Sequence, residues 1–284
     1  MIASTDHPQK TEREFEPLLA VAARIRGRII QLSHQARTPH LGSSLSFVEL
    51  LVYLYWNFLE ISPSQVNSPD RDRFILSKGH GITTLYAVLA ERGFFSPELF
   101  EGYAQEGSPL PEHPSPHCVP GIEAATGSLG HGLSISTGIA LASKMNGIPF
   151  SVVSLLSDGE CNEGSTWEAA LLAPVHKLNN LIAIVDFNKW QATGRSAEVT
   201  ALEPLEEKFE AFGWNSLRID GHDFRQIKSA LETAKDSDKP FAIIADTIKG
   251  KGIKTMEDDN NWHYRIPTKE EVDSAFAELG IESL

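Results

Sequence analysis

Residues 150–167 read FSVVSLLSDGECNEGSTW. The apolar run fits a buried strand, stops on Asp158 and Gly159, and is followed by Glu160, Glu163 and small residues that can open a helix. A second run, LIAIVDF (181–187), ends in the same manner on Asn188. A helix over 164–177 joins them, so the segment is a βαβ unit with parallel strands. Asp158 and Asn188 therefore leave the sheet at one edge, the carboxyl edge, where open α/β sheets bind ligands. Neighbouring strands lie about 5 Å apart, or about twice that with one strand between, so a small cation can reach both side chains. Their oxygens point to Mg2+ or Ca2+ rather than zinc. One Asp and one Asn carry too little charge for an all-protein cage, so phosphate oxygens should share the coordination. Gly159 has no Cβ and lets the backbone approach a phosphate closely. Taken singly, Asp-Gly is a common turn and Asn a common loop opener. The pairing on successive strands is what carries information.

Working outward, Glu12–Gln35 has apolar residues at helical spacing (Leu18, Leu19, Ala22, Ile25, Ile29, Leu32) after a loose tail at 1–11. HLGSSLS (40–46) reads as a turn and FVELLVYLYWNFLE (47–60) as a buried helix. A short strand, RFILS (73–77), leads into a helix over 79–93 that Gly93 closes. The proline-rich stretch 105–121 reads as an extended loop, and GSLGHG (127–132) opens a small-residue helix to Gly147. Beyond Asn188 the expected elements are strand 217–219, helix 223–235, strand 241–247 and helix 268–279. Strands alternating with helices predict an α/β fold, a mostly parallel sheet flanked by helices on both faces, as one domain over 12–284.

The 284 residues are 41% hydrophobic and 22% charged with a formal net charge of −13, so the chain can bury a core but presents no basic surface for nucleic acid. KGKGIK (249–254) is too short to count as a basic patch. Cys118 and Cys161 form no zinc motif or disulfide framework. No run is long enough to cross a bilayer, and the polar, acidic start is not that of a signal peptide. A cytoplasmic protein without nucleic-acid or membrane partners is the expectation.

Asp158-Gly159 followed by Asn188 resembles the thiamine-diphosphate-binding signature. Four further segments resemble those of transketolases in order and spacing: PHLGSSLS (39–46), RDRFILSKGH (71–80), ATGSLGHG (125–132) and WHYRIP (262–267). The resemblance covers residues 15 to 280 and is strongest to the N-terminal, pyrophosphate-binding subunit of split transketolases. It implies thiamine diphosphate with Mg2+, for which Ca2+ or Mn2+ can substitute, held by Asp158, Asn188 and the backbone carbonyl of Trp190. It further implies a Gly159 N–H and His80 at the diphosphate, His263 near cofactor and sugar, and Gly127, Ser128 and Leu129 at the aminopyrimidine. His40, His80, His113 and His263 would surround the reacting sugar, their near-neutral pKa suiting proton transfer. His113 and His117 compete for one place; the His-Pro pair favours His113. Glu163 and Glu168 would lie at a subunit interface, Glu168 close to the cofactor. An N-terminal helix charge accounts well for Glu160 and Glu163, poorly for Glu168.

The activity implied is transfer of a two-carbon ketol unit from a ketose phosphate to an aldose acceptor. The pyrimidine-binding and C-terminal domains would come from a separate C-terminal subunit, giving an α2β2 assembly and an N-terminal chain inactive by itself. Ser157, Ser128, His131 and Tyr264 depart from the usual residues at their positions, and Tyr264 would narrow the acceptor channel. An α-type subunit of a 2-oxoacid dehydrogenase, a deoxyxylulose-phosphate synthase fragment, and a non-catalytic scaffold that kept the fold are the alternatives.

Overall fold

The computed structural model describes residues 8–283. In chain order its elements are α1 (Pro8–Ala36), α2 (Leu41–Leu45), α3 (Val48–Tyr53), β1 (Arg73–Leu76), α4 (Ile82–Glu91), α5 (Gly132–Asn146), β2 (Val152–Ser157), α6 (Gly164–Val175), β3 (Leu181–Phe187), α7 (Ser196–Val199), α8 (Leu205–Ala211), β4 (Asn215–Asp220), α9 (Phe224–Lys235), β5 (Phe241–Asp246) and α10 (Lys269–Leu279). The five strands form one parallel sheet in the order β1-β2-β3-β5-β4.

Every residue of β2 and β3 is buried, which is why both read as unbroken apolar runs. Alternate side chains serve opposite faces. Val153, Leu155, Ile182, Ile184 and Ile243 join one core with α1, α3, α4 and α9. Val152, Leu156, Ala183, Val185 and Ile244 join a second core with α5, α6 and α8. β2 and β3 are immediate neighbours, with Ser157 opposite Asp186. No strand intervenes, so both ends reach the carboxyl edge side by side.

Several expectations shift. α1 begins at Pro8, ahead of the expected Glu12, and the rest of the expected tail, residues 1–7, lies outside the described residues. HLGSSLS is not a turn but carries the short buried helix α2, and the helix after it widens to a π turn at Leu54–Phe58. α7 and α8 are too short for periodicity to reveal. The 105–121 stretch is, as expected, without helix or strand.

A buried ion pair locks α1 to α3. Arg26 Nη2 lies 2.6 Å from Glu49 Oε1, and its Nε donates to Lys251 O. His222 Nε2 accepts the Ile248 N–H, which leaves Nδ1 to donate to Glu49 Oε2 at 3.1 Å. Burial pushes the Glu49 carboxyl up, but Arg26 and His222 overcome it and hold the group at about 2, below its ordinary 4.5. A lowered carboxylate pKa stabilises the fold above the unfolded value and loses that stabilisation as pH falls through the folded one. Unfolding free energy should therefore drop as the pH falls from 4.5 towards 2. The loss should be on the order of 3 kcal/mol. Urea titrations of Glu49→Gln should show a lower plateau near neutrality and a flatter acid limb.

Candidate active site

Asp158 and Asn188 stand at the ends of β2 and β3, both buried. Asp158 Oδ2 accepts from Ser196 Oγ at 2.7 Å, and its Oδ1 accepts the Gly159 N–H at 2.8 Å. Burial pushes the Asp158 carboxyl up to about 6 despite these two bonds. A nearby cation would favour its ionised form. Asn188 Nδ2 donates to Asp186 Oδ2 at 3.1 Å, and its Oδ1 accepts the Trp190 N–H. An ionised carboxylate only accepts, so Asp186 fixes which end of the amide is oxygen.

Asp186 is also the centre of a buried network. Its carboxylate takes Lys78 Nζ at 2.6 Å, Ser46 Oγ at 2.6 Å and the Thr247 hydroxyl. Burial acts to raise its pKa, but Lys78 and the hydroxyls hold it below the usual carboxylate range. The Lys78 ammonium also donates to Ser43 O and lies 4.3 Å from the Phe47 ring centroid. One carboxylate thus joins the segment after β1, the α2 segment, β3 and the end of β5.

Four imidazoles cluster over this edge. The His40 ring centroid lies 5.0 Å from that of His263, 5.4 Å from His80 and 6.1 Å from His113. His40 holds a left-handed backbone, φ 69°, and its N–H donates to His263 O at 2.7 Å. Lys249 Nζ lies 3.2 Å from His263 Nδ1 and donates to Asn260 Oδ1. An ammonium only donates, so Nδ1 accepts and Nε2 carries the ring proton. For His40, His80 and His263 the near-neutral pKa expected is not what their surroundings give. Burial, with the neighbouring lysines and rings, lowers His40 to about 4 and His263 to about 3, and takes His80 well below its ordinary value. Burial and Lys78 lower Lys249 to about 8.

A cavity of about 380 Å³ runs from the histidines to the strand ends, lined also by Gly127, Leu129, Gly159, Glu163, Asn188 and Trp190. His113 lines it and His117 does not. Gly127 has φ 134°, and a Cβ there would sit 2.6 Å from His113 Cδ2, so only glycine lets these segments approach. The Gly159 N–H expected at the diphosphate is directed at Asp158 Oδ1 instead. Ser128 and Glu168 are exposed and outside the lining, so the single chain does not bring Glu168 to the cavity. Tyr264 is 65% exposed and packs edge-on against His263 at 4.7 Å, at the histidine end.

A profile described as "Transketolase, thiamine diphosphate binding domain" matches residues 19–283. The chain belongs to the transketolase family. It is 41% identical over 268 residues to an apulose-4-phosphate transketolase subunit of Actinobacillus succinogenes, covering 93% of this chain and 96% of that one. It is 44% identical to the 6-deoxy-6-sulfo-D-fructose transketolase subunit SqwG of a Clostridium species, covering 84% and 88%. The crystal structure of Campylobacter jejuni transketolase superposes with a TM-score of 0.89 at 32% identity, over 93% of this chain but 43% of that one. This chain therefore spans less than half the length of the solved transketolases that it matches here. The family match sets aside the 2-oxoacid-dehydrogenase and deoxyxylulose-phosphate-synthase alternatives.

The residues of this transketolase domain fit its cofactor. Among the described residues no three His, Cys, Asp or Glu side chains form a metal cage. The oxygens of Asp158 and Asn188 instead suit a cation whose coordination a phosphate completes. A buried side-chain donor in the lining, Gln191 Nε2, has no protein partner.

Sequence reading missed the supports of this site. Glu160, explained above as a helix charge, is fully buried: its carboxylate accepts from the Ser77 hydroxyl, Gly130 N–H and Ser157 N–H, tying the Gly127–Leu129 loop to β1 and β2. Lys78, Asp186, Ser196 and Lys249 were missed too, and their partners are distant in sequence. The one available signal was charge inside apolar segments, as with Asp186 in LIAIVDF. Asp186→Leu should cost about 3–5 kcal/mol by stranding the Lys78 ammonium. Lys78→Met together with Asp186→Leu should recover much of that in guanidinium unfolding; wild-type stability of the single variant would show that the pair is not held as described.

Proposed function

We propose that this chain is the cofactor-grasping subunit of a two-chain transketolase that moves a two-carbon ketol unit from a ketose phosphate to an aldose acceptor. The observation that carries the reading is the meeting at one sheet edge of Asp158 and Asn188 with four histidines. Relatives that are themselves named as transketolase subunits, matched over nearly their whole length, support the division between two chains. Among the described residues no helix is long and apolar enough to cross a membrane. Both cysteines are free, which accords with a cytoplasmic site of action. A net charge of −13 accords with the expectation of no nucleic-acid partner.

When bound, thiamine diphosphate supplies the carbanion and the electron sink. Asp158, Asn188 and the Trp190 carbonyl would hold Mg2+, or Ca2+ or Mn2+ in its place. Gly159 would leave room for the diphosphate, with His80 and His263 beside it and Gly127, Ser128 and Leu129 against the aminopyrimidine. His40, His80, His113 and His263 would bind and orient the sugar's hydroxyls and carbonyl. Their lowered pKa keeps His40, His80 and His263 neutral at pH 7, so they can hydrogen-bond to the sugar without adding positive charge beside Lys78 and Lys249. Tyr264 would narrow the acceptor side.

Glu163 and Glu168 would face the partner subunit, which brings the pyrimidine-binding and C-terminal domains in an α2β2 assembly. α5 and α6 also expose the large apolar side chains Met145 at 77%, Leu171 at 53% and Val175 at 75%, which suit contact with another protein surface.

Purified chain and partner, with Mg2+ and thiamine diphosphate, should transfer a ketol unit from a ketose phosphate and leave pyruvate untouched. The chain by itself should show no turnover. Asp158→Ala should abolish Mg2+-dependent cofactor binding in calorimetry, a readout independent of catalysis. Turnover by the lone chain, or use of pyruvate, would overturn the proposal.

A further inference from the structure

The segment after Asn188 carries a residue that no motif identified. Gln191 lines the cavity beside Gly159: a Cβ on Gly159 would stand 3.2 Å from Gln191 Cγ, so the glutamine crosses the glycine backbone. One end of its amide is held from behind. Thr200 Oγ1 donates to Asn162 Oδ1 at 2.6 Å, and Asn162 Nδ2 donates to Gln191 Oε1 at 3.0 Å. With the oxygen satisfied, Nε2 is the end left over, and it is buried without a partner. Buried polar groups in native proteins nearly always have partners, so an orphan in a binding cavity points to a ligand acceptor.

The backbone around it is fixed. Gln191 N donates to Gly194 O, and Trp190 bridges to Arg195. The Arg195 guanidinium lies over the Trp190 ring and pairs with both oxygens of Asp258, which also takes Trp190 Nε1. The glutamine is therefore presented on a pinned loop. The Gly159 N–H beside it is already engaged by Asp158 Oδ1.

We propose that Gln191 is a cofactor-binding residue whose Nε2 donates to an oxygen of the diphosphate. This inference rests on the cofactor reading above. A carboxamide suits the place because it adds a donor without adding a positive charge beside Asp158 and Asn188, where a cation must bind. A diphosphate oxygen is the fitting acceptor because the amide lies over Gly159, immediately after the metal-binding Asp158.

The test is calorimetric titration of the full chain, with its partner subunit, using thiamine diphosphate or inorganic pyrophosphate in Mg2+. Gln191→Met keeps the length and removes the donor; it should weaken both ligands roughly 10- to 100-fold. Gln191→Glu puts a carboxylate against the phosphates and should weaken both further. Melting temperatures of the ligand-free variants should match wild type. Wild-type affinity in Gln191→Met, or a loss for thiamine diphosphate without a loss for pyrophosphate, would overturn the proposal while leaving the cofactor site standing. Failure of the wild-type protein to bind thiamine diphosphate would remove the cofactor reading and this role with it.

Discussion

Asp186 is a carboxylate with no access to water, and the carboxyl edge of the sheet is arranged around it. Desolvating an ion is expensive, so the fold must surround this one with donors. It does so with Lys78 from the segment after β1, Ser46 from the α2 segment, Thr247 from the end of β5 and Asn188 from just beyond its own strand. Each donor belongs to a segment that carries or adjoins a candidate site residue. Lys78 precedes His80, Ser46 follows His40 across α2, and Thr247 precedes Lys249. Satisfying one buried charge thereby aligns the histidine segments with the strand ends.

Burial has a second effect on the same edge. Desolvation lifts Asp158 and depresses His40, His80, His263 and Lys249, each towards its neutral form. At pH 7 the three histidines are therefore neutral, while Asp158 at about 6 and Lys249 at about 8 still keep most of their charge. An incoming cation and diphosphate would bring the charges that these groups are set to balance.

Much of this was legible in the residues. β2 and β3 announced themselves because strands covered on both faces are apolar throughout, and the polar residue that ends each run could be placed at a common edge. The four candidate histidines were singled out through motif segments, and of His113 and His117 only His113 lines the cavity. What could not be read was pairing at long range. Nothing in the sequence says that Lys78 meets Asp186, or that Glu160 turns inward to Ser77 and Gly130 instead of capping a helix. Strand order was equally hidden, since β5 inserts between β3 and β4 only in three dimensions. Gln191 was invisible for a similar reason: its meaning lies in a contact with Asn162 and in a cavity that only the fold creates.

The amide of His40 reaches across the chain to the carbonyl of His263, so the first and last imidazoles of the cluster are stitched together main chain to main chain. During synthesis the opening histidine leaves the ribosome long before its counterpart exists. Everything between must be translated before that stitch can be made. The histidine cluster is therefore closed late in biogenesis, after both strand ends, Asp158 and Asn188, have already been made.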